Sequence, residues 1–284
     1  MNLPASPEER EALAKTLRDA YMEIFPTATV EAKLDVLQPG SYVAVTCSPS
    51  KGIDETLEMS ERLAHRGFKV VPHIAARMVR DKAHLQEIMA RLHDMPIESL
   101  FVPGGDSPQP AGIYSSAYEL LRDMADCEHR IVELGVGAHP EGHPAVSNEV
   151  LMEELLKKQE FATYFVTQMC FDADIIGNWI KEVRDYGVTI PAWLGLPSVS
   201  QRASLMKTSL RIGVGNSLRY LKNHGKIAAK LMMKKEYRPD DLLIELAPYL
   251  ADPNCNIAGH HIYCFNAVET AEEWRVGFLE QLQQ

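Results

Sequence analysis

Apolar positions along this chain fall into two rhythms that alternate. Short runs rich in β-branched and aromatic residues occur at Ala20–Phe25, Tyr42–Cys47, Phe68–Ile74, Ser99–Val102, Ile131–Val136, Tyr164–Gln168, Thr189–Leu194 and His261–Phe265. Between them the spacing turns helical: Ile53–Arg66 aligns Leu57, Ser60, Leu63 and Ala64, and Ala83–Leu92 aligns Leu85, Ile88, Met89 and Leu92. Tyr114–Met124, Asn148–Phe161 and Ile175–Tyr186 follow the same rhythm. Strands separated by helices imply an α/β fold with a parallel sheet and helical crossovers. Eight units suit closure into a single (β/α)8 TIM barrel better than an open sheet.

The flanks add detail. Residues 1–19 read as an amphipathic helical extension, with Pro7 early and Glu8, Glu9 and Glu11 in the first turns, expected to cover the bottom or side of the barrel. Val199–Tyr237 is longer than one crossover requires and is rich in Lys and Arg, so it predicts extra helices after strand seven, as a lid or an oligomer surface. With no linker or low-complexity tract, residues 1–284 are expected to form one domain.

Composition narrows the function. The 284 residues are 46% hydrophobic and 24% charged, a globular mix, with a formal net charge of −10. That balance argues against a nucleic-acid binder, although single lysines and helix N-termini can still hold a phosphate. Five cysteines without a C-x-x-C pair point to reduced thiols and a cytoplasmic protein. No basic, apolar leader opens the chain, and no apolar run approaches the roughly 18 residues of a membrane span.

Several strand candidates end in polar residues, where such barrels keep their chemistry. The fullest example is Phe165-Val-Thr-Gln-Met-Cys-Phe-Asp172; Glu23, Thr46, His73, Asp106 and His139 end similar runs. Glu23 stands among apolar neighbours, which disfavour a carboxylate and suit a general acid, although a surface glutamate fits the local sequence equally well. Asp106 follows Gly104 and Gly105, which let backbone approach a flat ligand; a capped turn is the plainer alternative. His139, Glu141 and His143 have metal-ligand chemistry, but prolines and Gly142 break the helix that a His pair needs, so no metal is expected. His73 and Cys170 fit the core, and Gly213-Val-Gly-Asn216 follows a helix and lacks a dinucleotide-binding context.

Taken together these strand ends resemble the methylenetetrahydrofolate reductase family. The resemblance rests on Met22-Glu-Ile-Phe-Pro26, Val45-Thr46, Pro72-His-Ile-Ala75, Gly104-Gly-Asp106, His139-Pro-Glu-Gly-His-Pro144, Val166-Thr-Gln-Met-Cys-Phe-Asp172 and His261-Ile-Tyr-Cys-Phe-Asn266. It implies an oxidoreductase of one-carbon metabolism that interconverts 5,10-methylenetetrahydrofolate and 5-methyltetrahydrofolate, on the route to methionine. FAD would relay hydride from NADH or NADPH, and the protein would be a homo-oligomer. Glu23 would be the general acid and Asp106 would bias the electrostatics. Asp106, Gln168 and Gln201 would contact the folate. Thr46, His73, Gly105, Tyr114, Ser115, His139, His143 and Lys157 would hold the flavin, Lys157 nearest its phosphates.

The departures fall largely on the flavin side. Gly104 replaces an arginine, His139 a tyrosine and Leu156 a basic residue; Phe161-Ala-Thr163 replaces a glycine-containing helix end. Ala267 stands where the family carries an arginine that contacts folate. The expectation is that flavin binds loosely or not at all and that hydride passes directly from nicotinamide. Two alternatives remain: a folate barrel supporting methyl transfer or demethylation in the oxidative direction, and a catalytically degenerate barrel acting as a binding subunit.

Overall fold

The computed structural model describes residues 3–4, 6–201 and 236–283. Its centre is a parallel sheet of β1 (Tyr21–Ile24), β2 (Tyr42–Val45), β3 (Lys69–Pro72), β4 (Ser99–Val102), β5 (Glu133–Ala138), β6 (Tyr164–Thr167), β7 (Ala192–Pro197) and, late in the chain, β10 (Ile257–Tyr263). Between them, β8 (Ser200–Gln201) and β9 (Glu236–Tyr237) form a separate antiparallel ribbon. The strand order is β3-β2-β1-β10-β7-β6-β5-β4. The two outer strands meet where the Ile74 N–H donates to Phe101 O at 2.9 Å and His73 bridges Phe101 in parallel. The expected (β/α)8 barrel is therefore the fold.

The surrounding helices are α1 (Pro7–Arg18), α2 (Val30–Lys33), α3 (Gly52–His65), α4 (Lys82–Asp94), α5 (Ala117–Met124), α6 (Asn148–Lys158), α7 (Ala173–Asp185), α8 (Asp240–Ala251) and α9 (Val268–Leu282). Their starts are written in cap residues: Ser6, Asp81, Ser147 and Asp172 each accept a backbone N–H of the first turn. Ser116 and Glu119 form a reciprocal capping box, so α5 begins after Tyr114 and not at it. The N-terminal helix α1 packs against α8, α9 and β10 through Leu13, Thr16 and Leu17, on the side of the barrel.

Three strands start two or more residues away from their expected bounds. β5 starts two residues later than its apolar run and continues past Val136 to Ala138, taking in Gly137, a poor strand former that hid this end. At Gly135 a Cβ would overlap the Tyr164 ring. β7 runs past Leu194 through Gly195 to Pro197. β10 starts at Ile257 behind left-handed Asn256 (φ 46) and ends before Phe265 and Asn266 (φ 50 and 63), which turn the chain. The expected helices between residues 202 and 235, including Gly213-Val-Gly-Asn216, lie outside the described residues.

Strand alternation sends every second side chain inward. Tyr21, Ala44, Val71, Phe101, Tyr164 and Val166 pack into one inner cluster, with Tyr21 stacked on Trp193 at 4.2 Å between ring centroids. Most other buried apolar residues form the layer between strands and helices. The N-terminal half of the barrel is thus filled, leaving polar groups for the C-terminal half. No described helix is long and apolar enough to cross a membrane.

Candidate active site at the barrel mouth

β1 and β10 are parallel neighbours in the register Tyr21↔His261 and Glu23↔Tyr263. Their inward positions therefore bring Glu23 and His261 together, with Glu23 Oε2 2.9 Å from His261 Nε2. The pair is well shielded, its side chains 11% and 2% exposed. His73, at the end of β3, completes a cluster in which one ligand-type atom of each residue lies within 4.8 Å of the others. Its ring packs on Phe101 at 4.6 Å and lies 6.0 Å from the His261 ring. Burial, and next the neighbouring His261, hold His73 well below the ordinary histidine pKa, so it is neutral. Two imidazoles and a carboxylate are also a donor set for a divalent transition ion, but here the carboxylate and Nε2 satisfy each other.

Several buried polar atoms lack partners: His261 Nδ1 in the pair itself, His73 Nε2 in the cluster, and Thr46 Oγ1 and Ser198 Oγ just after β2 and β7. Each such group costs about 1–3 kcal/mol when left unsatisfied, and a bound polar ligand would relieve that cost. The scaffold beneath is tied carefully. Asn266 Oδ1 accepts from Phe25 N at 2.8 Å while its Nδ2 donates to Phe25 O at 3.0 Å, clamping the turn after Glu23. The Cys264 thiol donates to Glu23 O at 2.9 Å. Tyr263 donates to Thr167 O at 3.1 Å, and the Gly195 N–H donates to the Thr167 hydroxyl at 2.8 Å.

Across the mouth, Gln168 follows β6, its N–H donating to Ala138 O and its Oε1 accepting from Met169 N. Asp106 is exposed behind Gly104, whose missing Cβ would face open space, and Gly105 (φ 98). Burial, with Lys158 adding, lowers His139 to about 4. Lys158 is itself lowered by burial to about 8, and its ammonium donates to Gly137 O at 2.8 Å. Burial raises Glu141, beside Cys170, to about 7.

Four of the residues expected to hold flavin make other contacts. Tyr114 is 1% exposed, and its hydroxyl donates to Asp123 at 3.1 Å. Ser115 is tied to Glu119. His143 is exposed, with its ring 5.4 Å from His139. Lys157 points to the surface, 3.8 Å from Glu153 and 4.0 Å from Glu154. Arg77 spends its guanidinium on the carbonyls of Ser107, Pro108 and Ser115. A flavin diphosphate needs free cations or N–H groups, so among the described residues Tyr114, Ser115, His143 and Lys157 do not fit it. Gln201 lies exposed in the ribbon, opposite Glu236.

Sequence reasoning assigned no role to His261, Lys158 or Asn266. His261 opens an expected strand and a family-like motif, but the weak strand residues Ile257-Ala-Gly259 hid the true start of β10, and the inward two-residue spacing of His261 from Tyr263 was the usable signal. Lys158 falls three residues after Leu155, the buried residue of α6, and so on its inner stripe; Lys157 does not.

Fold and mouth together define a (β/α)8 barrel that gathers a shielded acid and its imidazole at the C-terminal strand ends. The chain belongs to the methylenetetrahydrofolate reductase family, whose model matches residues 29–222. Methylenetetrahydrofolate reductase 2 of Saccharomyces cerevisiae is 27% identical over 114 residues, covering 36% of this chain and 19% of the relative. Methylenetetrahydrofolate reductase 1 of Schizosaccharomyces pombe is 31% identical over 83 residues, covering 28% of this chain and 14% of the relative. The matches thus span less than a fifth of either yeast protein. Among solved structures, an uncharacterized Clostridium thermocellum protein that binds two copies of 5-methyl-5,6,7,8-tetrahydrofolic acid shares the fold with a TM-score of 0.61 at 12% identity, covering 94% of this chain and 98% of that one.

Proposed function

We propose that the protein interconverts 5,10-methylenetetrahydrofolate and 5-methyltetrahydrofolate, with NADH or NADPH as hydride donor in the reductive direction and Glu23 as general acid. The observation that carries this is the shielded Glu23–His261 pair at the mouth of a barrel of this family. In the reductive direction the methylene–N10 bond breaks with its electron pair going to N10, which takes the Glu23 proton. Hydride then adds to the methylene carbon of the N5 iminium ion. Gln168, Asp106 and Gln201 would contact the folate, and the unpartnered groups of Thr46, His73 and Ser198 are available to the ligands. The folate-binding Clostridium protein of the same fold supports the substrate class. The five free thiols support a cytosolic setting.

Because four of the expected flavin residues do not fit that group, we assign no step to it: hydride passes from nicotinamide to folate directly, both held at the mouth. The test is a visible spectrum of the purified protein together with assays in both directions with each nicotinamide. Turnover by a colourless protein is expected. Stoichiometric flavin absorbance retained through gel filtration would overturn the direct transfer. Tight folate binding without turnover in either direction would leave a binding barrel instead of an enzyme.

A further inference from the structure

A general acid needs its side chain held in place twice over. Protonated, Glu23 carries an O–H that seeks an acceptor; ionised, it accepts only and seeks a donor. An ammonium serves the second state alone. Imidazole serves both, since a bare Nε2 accepts and an Nε2–H donates, provided that the ring can move its proton between nitrogens. A partner on the far nitrogen ordinarily forbids this by fixing the tautomer. In His261 the far nitrogen, Nδ1, is buried and has no partner, while Nε2 sits 2.9 Å from Glu23 Oε2. The other rings around it are those of Tyr21 of β1, His73 just after β3, Phe101 of β4 and Tyr263 of its own strand, with ring centroids 6.1, 6.0, 6.3 and 5.2 Å away. Among the described residues, no hydrogen-bond partner pins His261 to one tautomer.

We propose that His261 is a tautomer-switching positioning residue, which holds Glu23 in one orientation as both acid and carboxylate and passes it a replacement proton from water. This rests on Glu23 being the folate acid. The protons balance over a cycle. Glu23–H, bonded to bare Nε2, gives its proton to folate N10. His261 then exchanges its Nδ1 proton for one on Nε2 through water admitted when product leaves the site, since the ring is shielded otherwise, and Nε2–H now donates to the carboxylate. That proton then passes to Glu23 as water protonates Nδ1, restoring the start. One proton enters per reduction, matching the one taken up by folate.

The test combines two side-chain variants with nitrogen NMR. His261→Phe keeps a ring but no hydrogen bond; a displaced acid lowers kcat by roughly 100-fold, with the folate KM little changed. His261→Gln, whose amide can turn either its oxygen or its nitrogen to Glu23, restores most of that rate. A merely structural histidine would instead lower the melting temperature in both variants and gain nothing from Gln. In the wild type, the ring-nitrogen shifts of His261 should report a tautomer population that moves with pH, and Glu23→Ala should abolish that movement. A single tautomer at every pH, shifts indifferent to Glu23→Ala, or full kcat in His261→Phe would each overturn the proposal. If the wild type turns over no folate at all, the reading of Glu23 as folate acid fails, while the NMR arm still decides whether the pair switches.

Discussion

At Glu23 the neighbour that matters comes from the far end of the chain. Apolar residues beside it in sequence suggested an acid in oily surroundings; in space, His261 gives it a polar partner at 2.9 Å. Local sequence showed the carboxylate but not the imidazole, because pairing between β1 and β10 is not a local property. Glu23→Gln keeps the shape and removes the proton, so turnover should fall by about 10²–10⁴-fold, the usual worth of a general acid. Equal kcat in wild type and variant, measured under saturating folate, would remove Glu23 from the chemistry. The two lysines of α6 make the opposite case. Lys157 forms exposed ion pairs with Glu153 and Glu154, worth about 0–1 kcal/mol. Lys157→Ala should therefore leave the nicotinamide KM and the melting temperature nearly unchanged; a large rise in KM would restore Lys157 to a phosphate site.

Helices were the most legible elements. The stripe read from the sequence of α4, Leu85, Ile88, Met89 and Leu92, is the set that its helix buries. Strands carrying glycine were read less well, since glycine weakens the strand signal at the places where the barrel needs it. A Cβ at Gly195 would overlap Thr167 O and the Tyr263 ring, whereas at Gly137 it would face the Phe101 ring at 3.9 Å, ordinary contact. Overpacking costs about 1–3 kcal/mol, so Gly195→Ala should lower stability by that order. Gly137→Ala should be close to neutral. Denaturant unfolding of the two variants side by side checks this, and equal midpoints would contradict the packing described for β7.

For the whole molecule, buried histidines set the acid limit. Burial lowers both His139 and His260 to about 4. A histidine depressed in this way contributes stability that is complete above its ordinary pKa near 6.5 and is lost as pH falls towards 4. Glu141, raised to about 7, has the opposite sign: its contribution is complete below its ordinary pKa and is lost as pH rises to about 7. The melting temperature should therefore drop between pH 6.5 and 4. His260, fully buried on β10, accounts for a share on the order of 3 kcal/mol. His260→Leu should flatten that drop, and an unchanged profile would refute the assignment. The alternation of strand and helix made this architecture legible in outline; which buried histidines lack compensation depends on packing that no periodicity records.

With Glu23 as the proposed acid, the seam between β1 and β10 also dictates when the protein becomes competent. Glu23 and His261 stand 238 positions apart, and they meet only when the last strand seats against the first. Every partly assembled barrel, including a chain still emerging from the ribosome, has the acid without its imidazole. During refolding, secondary structure and tryptophan burial should return first, and turnover should appear only with the slow, long-range step that closes the cylinder.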